Sequence, residues 1–365
     1  TPDAGTVDDS GRPSPATERL PGRRRGREAR GSSLRRRLFA VYDGVDEDPG
    51  LADLSAGLLE RQMRSWPALA EGHAALAAAG MREIHGGRWT VKVQFNPRRI
   101  VSSGARLDPE SIRQRPCFLC LPQLPPEQQA ILYRDVFLIV CNPAPIYPGH
   151  LTIVHRTHQP QALPPERLGI LLRLAADFGL GMTVSYNGPR CGASAPDHLH
   201  FQAAPAGLLP AEREVLEPRN RAAAKMREGV SIWRTQGLGR GILVIEGEGQ
   251  EPVSRAFGRV VSALDRHHPT GEEPMLNLFC THTGSGWRLI LFPRRRHRPE
   301  AYDRQGDERL LVSPGAADMG GILITPVERD FLAMDRERVL GIFREVALDD
   351  AALEAVITFF DSGDE

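Results

Sequence analysis

Five residues, His198-Leu199-His200-Phe201-Gln202, alternate strictly between polar and apolar. Successive side chains of a strand point to opposite faces, so this row demands a strand with two unlike sides. His198, His200 and Gln202 share one face, while Leu199 and Phe201 anchor the other in a core. A helix would scatter both sets around its circumference. A chain that carries such a row builds a sheet with one polar face, and that face is a candidate site. Taken alone, two alternating histidines are only moderately specific, because surface strands also carry them by chance.

Other strand-like runs occupy 89–95, 136–141, 151–155, 182–186, 198–203, 242–245, 276–280 and 287–292. Helical spacing marks 51–79, through Leu54, Leu58, Leu59 and Met63, with Pro67 expected to end or kink its first part. Helices are also expected over 164–178, 210–228, 253–266 and most of 327–360. An Arg- and Ser-rich loop should follow Asn96-Pro97 as far as Pro116. Mixed elements of this kind indicate an α+β fold. The strand–strand–helix–strand–strand order of 136–203 recurs loosely at 242–292, which suggests a duplicated half. We expect three regions: an Arg-rich tail over 1–37, an N-terminal half over 38–205, and a C-terminal half over 206–365 made of a degenerate repeat plus helices.

Composition narrows the function classes. Lys+Arg and Asp+Glu are both 46 among 365 residues, so the net charge is zero and a globally basic nucleic-acid binder is excluded. Ten arginines between Arg12 and Arg37, in a segment poor in apolar residues, point to disorder there. Such an arm could touch nucleic acid, but no aromatic residues interleave the arginines, which favours a solvated tail. No apolar run of about 18 residues exists, so no membrane span is expected. Residues 1–10 are polar and acidic and do not read as a secretory signal. Five cysteines are too few for a disulfide scaffold in a chain this long, which suits a reducing cytoplasm. Arginine supplies nearly all the positive charge, with lysine only at Lys92 and Lys225, and no function follows from that.

Cys117-Phe118-Leu119-Cys120 is the second chemical signal. A Cys-x-x-Cys in a cytoplasmic chain marks a metal or a redox site. A redox pair normally opens a helix after a strand, whereas Leu121-Pro122 and Pro125-Pro126 follow here. With no second Cys-x-x-Cys, a zinc site needs two histidines, for which His158 and His198 are candidates. The rival is a pair of free thiols in a turn. Cys141, Cys191 and Cys280 read as packing residues. Gly237-Leu238-Gly239-Arg240-Gly241 precedes a strand instead of following one, so it is not a dinucleotide fingerprint.

Three blocks together resemble the transferase branch of the histidine-triad superfamily, which holds galactose-1-phosphate uridylyltransferase, diadenosine tetraphosphate phosphorylase and the GDP-hexose phosphorylases. They are Asn96-Pro97 with Ser102-Ser103 and Arg106 up to Arg115-Pro116-Cys117-Phe118-Leu119-Cys120; Tyr147-Pro148-Gly149-His150-Leu151 to His158 and Leu163-Pro164; and Asn187 to Gln202. The match spans 85–205 and continues weakly to about 325 through Phe292-Pro293-Arg294 and Ser313-Pro314-Gly315. Within the branch the chain is most like a bacterial group. The resemblance implies a mostly antiparallel sheet with flanking helices, duplicated as two half-barrels, with the catalytic half in 38–205. It implies His200 as nucleophile and Gln202 as the glutamine that contacts the phosphoryl group. It implies Cys117, Cys120, His158 and His198 as ligands of a structural zinc. Asn187, Ser194, Arg106 and Asn96 are the implied substrate-binding residues, with Ser103 as an alternative phosphate contact. Arg294 and Arg296, in a dense arginine cluster after a strand, join them as candidate phosphate captors. Asp197 stands where the family often has proline, and Phe201 where the uridylyltransferases have glycine, which argues against a galactose-specific enzyme.

The expected activity is transfer of a nucleoside monophosphate from a nucleotide sugar or dinucleoside polyphosphate to inorganic phosphate or a sugar phosphate. A neutral imidazole attacks the α-phosphorus and splits one displacement into two. Glutamine cannot titrate, yet its N–H can stabilise a phosphoryl oxygen, so the intermediate waits for an anionic acceptor. The alternatives are a catalytically weak nucleotide-binding zinc protein and a nucleotide hydrolase of the same superfamily. A homodimer is compatible with the resemblance.

Overall fold

The computed structural model describes residues 34–45, 48–267, 269 and 271–362. The chain divides into two units, Thr1–Arg37 and Leu38–Glu365. Of the first, only 34–37 are described, as one helical turn, and the rest of the expected Arg-rich tail lies outside the described residues. Everything below concerns the second unit.

Strands form where β-branched and aromatic runs find partners on both sides. In chain order they are β1 (Leu38–Tyr42), β2 (Gly80–His85), β3 (Thr90–Phe95), β4 (Ala130–Tyr133), β5 (Phe137–Cys141), β6 (Leu151–His155), β7 (Met182–Asn187) and β8 (His200–Pro205). The series continues with β9 (Arg221–Arg227), β10 (Val230–Thr235), β11 (Leu243–Gly247), β12 (Leu276–His282), β13 (Trp287–Pro293) and β14 (Ile322–Thr325). Eleven strands make one open sheet in the order β1-β4-β5-β6-β8-β7-β12-β13-β11-β10-β9, and no barrel closes. Its pairs are antiparallel except β1 with β4. A small second sheet runs β14-β3-β2.

The principal helices are α1 (Leu51–Ser65), α2 (Pro67–Ala77), α3 (Leu168–Phe178), α4 (Gln250–His267), α5 (Arg336–Val346) and α6 (Asp350–Ser362). The apolar stripes of α1, α3, α4 and α6 cover one face of the large sheet, where Ile139, Ile153, Phe201, Leu278 and Leu291 are buried. A second core lies on the opposite face over the C-terminal strands. There Trp233, Val244, Ile290 and Phe292 meet the small sheet and α5. Over β5, β6 and β8 that same face stays open and carries Thr152, His200 and Gln202 among apolar neighbours such as Val140. The polar row thus faces a space that the rest of the sheet fills with apolar side chains.

Several sequence expectations need correction. The segment 210–228 is helical only over Pro210–Glu214 and becomes strand β9, despite its alanines. Glu228 and Gly229, at φ 52° and 76°, turn it back onto β10 in a two-residue hairpin, and pairing overrides propensity. The 97–116 loop contains helical turns at Ile100–Ser103 and Pro109–Gln114, the second capped by Asp108, which accepts the Ser111 N–H at 2.9 Å. Strands β1, β2 and β4 lie where no strand was expected. The 51–79 helix is interrupted as expected at Pro67, which starts α2, where its missing N–H costs nothing. β8 begins at His200 and not at His198.

Candidate functional site

The polar row parts company at its first histidine. His198 sits in the turn before β8, with its N–H bonded to the Ala195 carbonyl at 3.1 Å. Its Nε2 lies 2.7 Å from the His155 carbonyl. That bond takes the ring proton and leaves Nδ1 bare, 3.2 Å from Cys117 Sγ and 3.6 Å from Cys120 Sγ. His158 Nδ1 stands 3.4 Å from Cys120 Sγ. The donor atoms of Cys117, Cys120, His158 and His198 all lie within 4.8 Å of one another, so these four residues could hold a metal ion. Burial pushes the Cys117 thiol up to about 12, a cost that a bound cation would reverse.

His200 is on the strand and buried. Its Nδ1 donates to the His198 carbonyl at 2.8 Å, so Nε2 keeps its lone pair. Burial pulls its pKa down to about 4, and the ring is neutral at pH 7. The backbone of His200 is held by a side chain instead of a strand. Gln161 Oε1 accepts the His200 N–H at 2.8 Å, and Gln161 Nε2 donates to the carbonyls of His200 at 3.1 Å and Asn187 at 2.8 Å. Gln161 thereby closes the gap that opens where β7 and β8 diverge into the 188–199 loop.

Two cavities meet at this strand. A large one of about 830 Å³ is lined by His200 and Gln202 together with Phe118, Val140 and Thr152. A small polar one of about 50 Å³ is lined by Arg99, Asn187, Ser194, Gln202 and Ser313. Gln202 and Ser194 border both. Asn187 Oδ1 accepts from Asn277 Nδ2 at 2.8 Å and from the Ala316 N–H at 2.7 Å, which leaves its amide nitrogen for the small cavity. Ser103 lines that cavity too. Arg106 lines the large cavity at an exposed position, 3.6 Å from Asp108.

Three of the expected substrate contacts lie elsewhere. Asn96 is buried and braces the chain below the cavities, donating to Gln94 Oε1 at 3.1 Å and the Pro145 carbonyl at 3.4 Å. Arg294 is also buried, and its guanidinium is spent on Asn277 Oδ1 and the carbonyls of Pro314, Val346, Arg296 and His297. Arg296 is exposed and pairs with Glu300 at 2.9 Å. Neither Arg294 nor Arg296 lines either cavity.

Neither Gln161 nor Arg99 stands out in the sequence, and His150 enters there only as part of the second block, without a role. Arg99 borders both cavities, donates to the Ala144 carbonyl at 3.1 Å and has a buried Nε without an acceptor. The signal for His150 was available. It stands two residues before Thr152, which pairs with Gln202, so period two puts both on the site face.

The comparisons divide the chain in two. Residues 58–205 match a family described as a domain of unknown function (DUF4922), and 215–360 match the family described as GDPGP1-like, C-terminal domain. No curated protein matches. Among solved structures, the yeast Ap4A phosphorylase Apa2 in complex with Ap4A superposes with a TM-score of 0.55 at 14% identity, covering 80% of this chain and 97% of that one. The same yeast protein in complex with AMP gives 0.51 at 15% identity over 79% and 94%. At these identities the likeness is one of fold.

Proposed function

We propose that this chain is a nucleotidyltransferase of the phosphorylase type in the transferase branch of the histidine-triad superfamily, working through a covalent nucleotidyl-histidine at His200; the GDPGP1-like match over 215–360 and the fold shared with the yeast Ap4A phosphorylase support the reading. The observation that carries the reading is the His200 ring. It is neutral, with Nδ1 tied to a carbonyl and Nε2 left free on a strand that borders a nucleotide-sized cavity.

In the first step Nε2 attacks the α-phosphorus of a nucleotide sugar or dinucleoside polyphosphate. The N–P bond forms, the bridging P–O bond breaks, and the leaving phosphate takes the electron pair. A phosphate leaves without a proton, since its second pKa is about 6. No titrating group is therefore needed where Gln202 stands. An amide N–H there stabilises the charge on the phosphoryl oxygens. Arg99, Ser194 and the Asn187 amide are placed to share that charge. In the second step an oxygen of inorganic phosphate or a sugar phosphate attacks phosphorus, the P–N bond breaks, and His200 is regenerated.

We assign the Cys117, Cys120, His158 and His198 cluster to a structural zinc. Zinc bonds of about 2.3 Å to sulfur and 2.0 Å to nitrogen would space neighbouring S and N donors about 3.5 Å apart. The S···N separations here are 3.2, 3.4 and 3.6 Å. With four protein ligands such an ion would leave no open position, and its contribution would be rigidity. His198 joins the two centres, since its ring faces the cluster and its carbonyl holds the His200 ring. Five cysteines with no disulfide among them fit a cytoplasmic setting. Among the described residues no helix is long and apolar enough to cross a membrane.

Trapping tests the reading. The protein is incubated with radiolabelled nucleotide sugars and dinucleoside polyphosphates without phosphate, and an acid-labile adduct on His200 is sought. The expected adduct discharges as nucleoside diphosphate when phosphate is added, and is missing in His200→Ala. Adduct in His200→Ala, or release of nucleoside monophosphate at a rate indifferent to phosphate, would overturn it.

A further inference from the structure

His150 lies just before β6, with its ring buried against Tyr147 at 4.6 Å between centroids. The backbone N–H of Ile146 points at its Nδ1 from 3.3 Å. A nitrogen that faces a donor can only accept, so the ring proton is on Nε2. That Nε2 is 3.1 Å from Gln202 Oε1. The direction of each bond is then forced in turn, from Ile146 N–H to the ring and from the ring to the amide oxygen. The only end of the Gln202 amide left for the cavities is its NH₂. Were the amide turned over, two buried donors would face each other, and the carbonyl oxygen would be presented to a phosphoryl group of the same sign.

We infer that His150 is a positioning residue, which sets the end of the Gln202 amide that meets the reacting phosphoryl group. This rests on the proposed nucleotidyl transfer at His200. Burial, with the Arg99 guanidinium as a second cause, holds the His150 pKa down to about 3, so the ring carries its single proton at any working pH. A neutral imidazole suits this task better than a cation, because it offers one donor and one acceptor in fixed directions. Gln202 has no titration of its own, so its usefulness depends entirely on orientation, and orientation is what His150 supplies.

Leucine and glutamine variants separate orientation from packing. His150→Leu keeps the bulk and loses the donor, while His150→Gln places an amide N–H near the position of Nε2. The rate of adduct formation on His200 should fall about 10- to 100-fold in His150→Leu, with KM for the donor much less affected. It should recover largely in His150→Gln. In a Gln202→Ala background His150→Leu should cost nothing further, because the group it acts through is gone. A wild-type rate in His150→Leu, or a loss that adds in full to that of Gln202→Ala, overturns the assignment. Should the leucine variant not fold, ¹⁵N imidazole shifts of the parent decide. A proton on Nε2 of His150 supports the assignment and a proton on Nδ1 overturns it. If the parent itself forms no adduct with any donor, nucleotidyl transfer fails first, while the ¹⁵N measurement still reads the His150 tautomer.

Discussion

His200 is held neutral by its own burial, and this has a sign that can be tested. Its pKa drops from 6.5 to about 4, so between those values the folded chain binds fewer protons than the unfolded one. The stability due to this ring is fully present above pH 6.5 and is lost as pH falls towards 4. Thermal unfolding followed from pH 7.5 to 4 should show stability declining through that window, less steeply in His200→Gln. The rate of adduct formation should stay nearly flat down to about pH 5, where a free imidazole would already be mostly protonated. Gln202 makes a complementary case. Restoring a titratable ring with Gln202→His should raise phosphate-independent release of nucleoside monophosphate, because histidine can deprotonate water and glutamine cannot. Product analysis with and without phosphate checks this.

Strand β8 joins two jobs through its alternation. Phe201 points away from the site and packs against Phe137 and Tyr186 with centroids 5.8 and 6.0 Å away. Phe201→Ala should cost about 3–5 kcal/mol, read as a lower denaturant midpoint, and should also loosen the strand that carries His200. The turn before β8 is tied down from the other side by the cysteine knuckle. Cys120→Ser should lose bound zinc, seen as less than one ion per chain by metal analysis. It should also slow adduct formation by at least about 10-fold, since the His198 carbonyl that orients His200 is no longer fixed. Retained zinc with full activity would count against the assignment of the cluster.

At the scale of the molecule, the same wiring occurs twice. The series β4-β5-β6-α3-β7-β8 is repeated by β9-β10-β11-α4-β12-β13, with sheet orders β4-β5-β6-β8-β7 and β9-β10-β11-β13-β12. The halves meet at β7 and β12, where Thr183 faces Thr281 and Asn187 faces Asn277, centred on Ser185 opposite Phe279. The registers repeat as well. Gln202 faces Thr152 and Ser185 as Ile290 faces Val244 and Phe279, and His200 faces Val154 as Arg288 faces Glu246. One half keeps the polar face and its cavities. The other has Ile290, Val244 and Phe279 at the stations of Gln202, Thr152 and Ser185 and is sealed by the small sheet and α5. Arg288, the counterpart of His200, is paired with Glu246 at a partly exposed position. Arg288→Ala should leave adduct formation within about 2-fold and change stability by about 1 kcal/mol or less. A large loss of activity would mean that the second half takes part in the chemistry.

The sequence by itself determined the local chemistry: a two-sided strand, a Cys-x-x-Cys turn, and the strand–helix–strand–strand core of each half, over 151–203 and 242–292. Alternation and turn residues are short-range signals, so the strand that bears His200 and Gln202 and the turn that bears Cys117 and Cys120 were legible without coordinates. Only the tertiary structure decided which partners these residues meet. Gln161 acts as a missing strand, His150 orients Gln202, and Arg294 spends its charge inside the fold instead of on a ligand. The 210–228 segment became a strand for the same reason, because an edge pairing outweighed its helical propensity. A buried polar side chain takes its role from whichever donor or acceptor the packed fold sets opposite it, and those contacts join residues dozens of positions apart that no local pattern records.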